Sequence, residues 1–387
     1  MKTRILMAFL FCFLCGHILK AQQINTDSIS NPNLFAYLTG VNLKQDRFQL
    51  FLNTQGTFDA MFNAKHFSQG KFVMKQLRLE AKGNINDKLF YRYRQRLNRS
   101  NDGSQAIDNF PQSIDMAYLG AKLSKHFSVI VGKQTAAYGG VVFDLNPILV
   151  YEFPDMVEYL ECFMTGISFV YDINALQQIQ FQILNSHNQS TLDTYGIDLE
   201  DAKLPLVYSI NWNGNFNNIY QSRWSVSYMS EARNKSLYYV ALGNTLKFGN
   251  ISTLFDFMYS KEDADNKGIL RKYSCLNTEY LSYVLNINYR INNNWNVFAQ
   301  GMYEKANLSK PSQITVNDES VTLDKGNYRN SYGYIAGVEY YPLSNSDLHL
   351  FLTYVGRRFD YSDRAILDKN YNTNRFSAGF VYQLPLF

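Results

Sequence analysis

Residues 71–98 alternate in chemical character at nearly every step. In the first half Leu77, Leu79 and Ala81 share one parity, while Gln76, Arg78, Glu80 and Lys82 share the other. In the second half Tyr91, Tyr93 and Leu97 alternate with Arg92, Arg94 and Arg96. A helix would distribute those arginines around its circumference, whereas a strand places every second side chain on one face. The pattern predicts an antiparallel hairpin with one apolar and one charged wall, turning at residues 83–88. Folding about Asn86 would set Glu80 near Arg92 and Arg78 near Arg94. A soluble sheet with one solvated face fits this stretch equally well, so the rest of the chain must decide.

From Phe48 to the last residue the alternation recurs in about 16 segments, most of them near the roughly 9–11 residues that a tilted strand needs to cross a membrane. The connections alternate too. Those after even-numbered segments are short, and those after odd-numbered segments are mostly long: 59–71, 99–113, 134–162, 186–205 and 306–330. A soluble sandwich has no reason for this rhythm. It predicts an all-β fold, a transmembrane antiparallel β-barrel of about 16 strands with short periplasmic turns and long external loops. Composition agrees, since 29 Tyr and 28 Phe coexist with a polar mean hydropathy, as alternation requires. Lipid-facing rows read Leu281, Tyr283, Leu285, Ile287, Tyr289, then Tyr332, Tyr334, Ala336, Val338, Tyr340, and finally Phe376, Ala378, Phe380, Tyr382, Leu384. Tyrosines near strand ends fit an interfacial girdle. The terminal Phe387 suits recognition by outer-membrane assembly machinery, although Pro385 breaks the alternation just before it.

Three segments organise the chain: a signal peptide over 1–21, a polar periplasmic lead-in over 22–47, and the barrel over 48–387. Lys2 and Arg4 precede the apolar run 5–14, with cleavage expected after Ala21. That run is short for a bilayer span, and Cys15 lacks a lipoprotein context. Export through the inner membrane to the outer membrane of a Gram-negative bacterium follows. The formal charge of +4 drops on processing and argues against nucleic acid as a partner. Cys162 and Cys275 are then the remaining cysteines, too few for a disulfide scaffold or a metal site, though they would pair if loops met.

A barrel this wide encloses water rather than a side-chain core. Inward parity gathers Arg78, Glu80, Lys82, Arg92, Arg94 and Arg96 on neighbouring strands, with Arg223, Lys247, Arg290, Arg357 and Arg375 more scattered. The long connection 134–162 carries Asp144, Glu152, Asp155, Glu158 and Glu161 with no Lys or Arg after Gln134. Folded inward, it would form a constriction whose acids oppose the arginine wall and create a transverse field. Catalysis is disfavoured: His66, His126, His187 and His349 offer no nucleophile and base pair, and neither HExxH, CxxC nor a Gly-rich phosphate loop occurs. The stretches 101–104 and 262–265 read as solvated acidic loops rather than Ca²⁺ sites. No metal or organic cofactor is implied.

The run 72–98 with its RLEAKG, then Ala117-Tyr118-Leu119-Gly120, then Val131-Gly132-Lys133-Gln134 followed by Tyr138-Gly139, resembles the phosphate-selective porin O and P family of outer-membrane porins. Thr135 and Ala137 stand where that family usually has Lys and Pro. The resemblance implies a β-barrel channel, trimeric in its best-known members, that conducts anions past lumenal basic residues. Here that set is Arg78, Lys82, Arg92, Arg94, Arg96 and Lys133, with Glu80 among them. The expected function is a porin: passive diffusion of small hydrophilic solutes with an anion bias, phosphate among the candidate anions, in contact with outer-membrane lipid. The alternative is a plugged barrel whose loops 99–113 and 306–330 bind partners, for which Phe298, Ile335, Phe351 and Val355 supply inward apolar residues.

Overall fold

Sixteen antiparallel strands close on themselves, the first pairing with the last, in the computed structural model, which describes residues 47–102, 106–344 and 346–387. The expected signal peptide and nearly all of the lead-in lie outside the described residues. The first half comprises β1 (Gln49–Asn63), β2 (His66–Asn84), β3 (Leu89–Arg96), β4 (Ile114–Lys122), β5 (Phe127–Thr135), β6 (Phe163–Asn174), β7 (Gln177–Asn185) and β8 (Leu206–Phe216). The second half continues with β9 (Tyr220–Ala232), β10 (Lys235–Phe248), β11 (Ile251–Ala264), β12 (Leu276–Arg290) and β13 (Trp295–Leu308). A separate hairpin, β14 (Ser312–Val316) and β15 (Glu319–Leu323), precedes β16 (Gly326–Tyr340), β17 (His349–Tyr361) and β18 (Tyr371–Pro385).

One chemical device makes the turns at the short end. Asn86 Oδ1 accepts from the amides of Lys88 and Leu89, Ser124 Oγ from His126 and Phe127, and Asn292 Oδ1 from Asn294 and Trp295. Such short polar side chains replace the ladder just where it must reverse. The C-terminus is held at the same seam: Phe387 O accepts from Leu50 N at 2.9 Å, and its ring packs 5.1 Å from that of Phe48.

Two long connections turn out to be largely strand. Residues 59–71 extend β1 and β2 to a two-residue turn at Ala64, whose φ is 53°. The cause is a β-bulge at Lys75: Gln55 pairs with Gln76 but Gly56 pairs with Met74. The extra residue switches the outward parity from Leu77 and Leu79 to Phe72 and Met74, which breaks the period a sequence reader follows. Likewise 306–330 is filled by the ends of β13 and β16 and by the β14–β15 hairpin, with Asn317 and Asp318 supplying the positive φ of its turn.

The lipid-facing rows stand as expected, with Tyr283, Leu285, Ile287, Tyr289, Tyr334 and Phe376 all exposed on the outer wall. The apolar core is inside, where residues 136–162 pack against the barrel. Tyr138, Val142, Met156 and Leu160 join Leu184, Met229, Tyr239, Met258 and Phe298, while Ile148 packs with Phe351 and Val381. The inward apolar residues that suggested a plug are covered by this loop: Tyr151 stacks on Phe298 at 5.0 Å and meets Phe351 at 4.8 Å.

Candidate functional site

The inward loop reaches strands all round the barrel. Its entry is made by backbone chemistry: the amides of Val141 and Val142 donate to the two oxygens of Asp256 at 3.0 and 2.8 Å. Gly140 permits this approach, because a Cβ there would lie 2.5 Å from the Asp256 carboxylate. Gly139 N donates to Ser225 Oγ, Asn146 Nδ2 to Asn53 Oδ1, Tyr151 OH to Glu339 Oε1, and Asp155 N to Glu304 Oε1. Every partner points into the lumen.

On β2 and β3 the arginine wall exists, in a register two residues from the expected one. Glu80 lies across from Arg94, Lys82 from Arg92, and Arg78 from Arg96. Glu80 still takes Arg92, diagonally, with Nε at 2.9 Å and Nη2 at 2.8 Å. Arg78 and Arg94 do not face open water. They are 3 and 4% exposed and converge with Arg96 on the wholly buried Asp115, at 3.4, 3.1 and 2.6 Å. Arg92 and Arg96 keep 33 and 16% of their side chains exposed and form the accessible face. Lys133 is buried against Asp108 at 3.0 Å and over the Phe110 ring.

Asp115 and Asp108 were missed by sequence reading. Asp115 sits in a bulge, since Arg94 pairs with Met116 and Gln95 with Ile114. Counting alternate positions back from the outward Leu119 therefore sends it to the wrong face.

The loop acids mostly anchor the loop and do not confront the arginine wall. Asp155 pairs with Arg357 at 2.9 Å and with Arg329; Glu152 pairs with Arg375 at 2.9 Å. Asp144 lies 3.6 Å from Arg223, and Glu161 accepts from the Asn188 amide and side chain. Glu158 is the one near the wall. Burial raises its pKa above the usual glutamate value, Glu152 and Asp155 add to the rise, and Arg99 and Arg96 oppose it. The expected transverse arrangement is thus redistributed: the loop acids pair with bases of β16–β18, and the β2–β3 side, where Glu80 and Asp115 take up part of the charge, keeps an excess of cationic side chains.

Two cavities follow that side. One of about 450 Å³ lies between the wall and loop residues Phe143, Phe153 and Val157, lined by six cationic side chains and three carboxylates. The other, about 570 Å³, opens toward the long-loop end. Both are bordered by Arg96, Arg99, Glu158, Cys162 and Phe163, which mark the neck between them. Cys162 and Cys275 are free thiols. The run 262–265 is buried, not solvated: Glu262 pairs with Lys267, and Asp265 accepts from Tyr280. Among the described residues no cluster suits a metal ion.

A closed 16-stranded barrel narrowed by an inward loop, with lumenal cavities lined by fixed charges, defines an outer-membrane channel of the porin class. The model of the phosphate-selective porin O and P family matches residues 48–384, and the chain belongs to that family. Among solved structures it is similar to the outer-membrane channel DcaP of Acinetobacter baumannii, at 13% identity and TM-score 0.62 over 87% of this chain and 96% of that one. It is also similar to an anion-selective porin from Comamonas acidovorans, at 9% identity and TM-score 0.59 over 87 and 99%. OmpT of Vibrio cholerae, in a trimer form, matches at 12% identity and TM-score 0.54 over 87 and 100%. At these identities the likeness concerns the fold. No curated protein sequence matches significantly.

Proposed function

We propose that this channel passes small hydrophilic solutes by passive diffusion with a preference for anions, set at the neck by Arg92, Arg96 and Arg99. The observation that carries this reading is the charge of the 450 Å³ cavity, six cationic side chains against three lining carboxylates and the buried Asp115 behind them, with Asp144 held near Arg223. One unpaired charge about 4 Å from an anion is worth about 1 kcal/mol in bulk water and about 4 kcal/mol near a protein surface. Several uncompensated guanidiniums would trap an anion; Glu80 and Asp115 moderate them, so binding stays weak enough for release. Inorganic phosphate, named in the family's description, is one candidate permeant. The same reading includes lipid on the outer wall, assembly machinery that recognises Phe387, export by the 1–21 signal, and a homotrimer, the form described for OmpT.

The test is single-channel recording in a planar bilayer under a KCl gradient, repeated with phosphate. We expect a reversal potential on the chloride side that moves toward zero in Arg92→Ala/Arg96→Ala. A cation-preferring channel, or an anion preference unmoved by that pair, would refute the assignment of the filter.

A further inference from the structure

A second cavity in the lumen differs in chemistry from the arginine side. Phe359 and Tyr361 of β17 and Tyr371 of β18 share the inward parity of Arg357 and Arg375, and Phe359 lies directly across from Tyr371. Their rings form a ladder, with Phe359 and Tyr371 stacked at 4.6 Å and Tyr361 and Tyr371 at 6.4 Å. The guanidiniums of Arg329 and Arg357 cover the Phe359 ring at 5.3 and 5.2 Å and pin the ladder from one side. Its other side is open. Tyr371 is 47% exposed, and Tyr159 of the inward loop, bordering the same cavity, is 53% exposed. These rings face lumenal water, not lipid, so burying them against a solute is favourable.

The cavity they border, about 520 Å³, falls within the usual size of a small-molecule site. Its charges balance: Lys75, Arg357 and Arg375 against Glu152, Asp155 and Glu158. A balanced site gives a net anion no advantage, in contrast to the arginine side. Polar capacity is also left over. Gln55 lines the cavity at 1% exposure with no partner for its Nε2, and Arg375 Nε is likewise unpartnered. Flat aromatic faces beside paired carboxylates, guanidiniums and an amide match one ligand chemistry well. The C–H face of a sugar ring stacks on the aromatics, while its hydroxyls each donate to a carboxylate and accept from an amide or guanidinium.

We propose that the cavity between the inward loop and β17–β18 is a subsite for a neutral, polyhydroxylated ring, a sugar, held by Tyr371 and Tyr159 with Glu152, Arg375 and Gln55. This rests on the channel reading above and adds a second, uncharged class of permeant to it. The experiment adds glucose, N-acetylglucosamine and maltotriose to the reconstituted channel and measures current interruptions, with calorimetric titration of the same sugars into the detergent-solubilised barrel. We expect interruptions and binding for at least one sugar, weakened about tenfold by Tyr371→Ala, retained in Tyr371→Phe, and with chloride preference unaltered by either. Three outcomes would overturn it: no sugar interrupts or binds; the affinity in both Tyr371→Ala and Tyr159→Ala equals that of the unsubstituted barrel; or benzoate binds this cavity while the sugars do not. A barrel that does not conduct would refute the channel reading alone, because the titration still decides the subsite.

Discussion

Asp115 holds three arginines with one carboxylate at no solvent exposure. Removing the charge from a buried pair leaves its partners uncompensated, at a cost of about 3–5 kcal/mol. Asp115→Asn is therefore expected to lower the urea midpoint of the vesicle-inserted barrel markedly, whereas Arg92→Ala, at the accessible edge, should lower it little. Glu158 acts on permeation instead. Its pKa is raised by burial above the usual glutamate value, so as pH falls it loses its charge before an ordinary glutamate would. The protonated form no longer opposes anions at the neck. Chloride preference should thus rise as the solution is acidified toward and just above the usual glutamate range, and Glu158→Gln should show the raised preference at neutral pH with this dependence abolished. Reversal potentials measured across pH for both proteins check it. At this scale the sequence was half legible: parity found Arg78 and Arg92–Arg96, but the bulge at Asp115 hid the residue that decides which of them are free.

Elements are more legible in the sequence than their ends. All sixteen barrel strands were legible because each must alternate to satisfy lipid on one side and water on the other. The segment 59–71 reads as a loop in the sequence because the Lys75 bulge inverts the parity within β2. The inward loop depends on contacts that have no periodic signal at all. Its entry needs a bare backbone at Gly140, against Asp256, 115 residues from Val141. Gly140→Val should push the loop entry off β11 and widen the lumen, read as a larger and noisier single-channel conductance with the barrel's circular dichroism preserved. An unchanged conductance would mean that the loop's ion pairs to Arg329, Arg357 and Arg375 hold it without the entry bonds.

For the whole molecule, the inward loop leaves cavities along two sides of the lumen. Its apolar side fills the half lined by Met229, Tyr239, Met258 and Phe298, and its acids neutralise the basic residues of β16–β18. What remains is a cationic lane along β2–β3 beside a balanced, aromatic one along β17–β18. If the barrel assembles as a homotrimer, chemical cross-linking of the detergent-solubilised protein should end at three times the monomer mass, with no larger species; a single uncross-linked band would exclude it.

The barrel, its strand count, its lipid-facing rows and the family are legible in the chain's local alternation and motifs, because a period of two between lipid and water is written in every strand. The sequence also marks 134–162 as the acidic segment able to enter the lumen. Where those acids point and which arginines stay accessible follow from tertiary contacts. Charge pairing depends on which strands the closed barrel brings face to face, and on single inserted residues that rotate a side chain from one wall to the other.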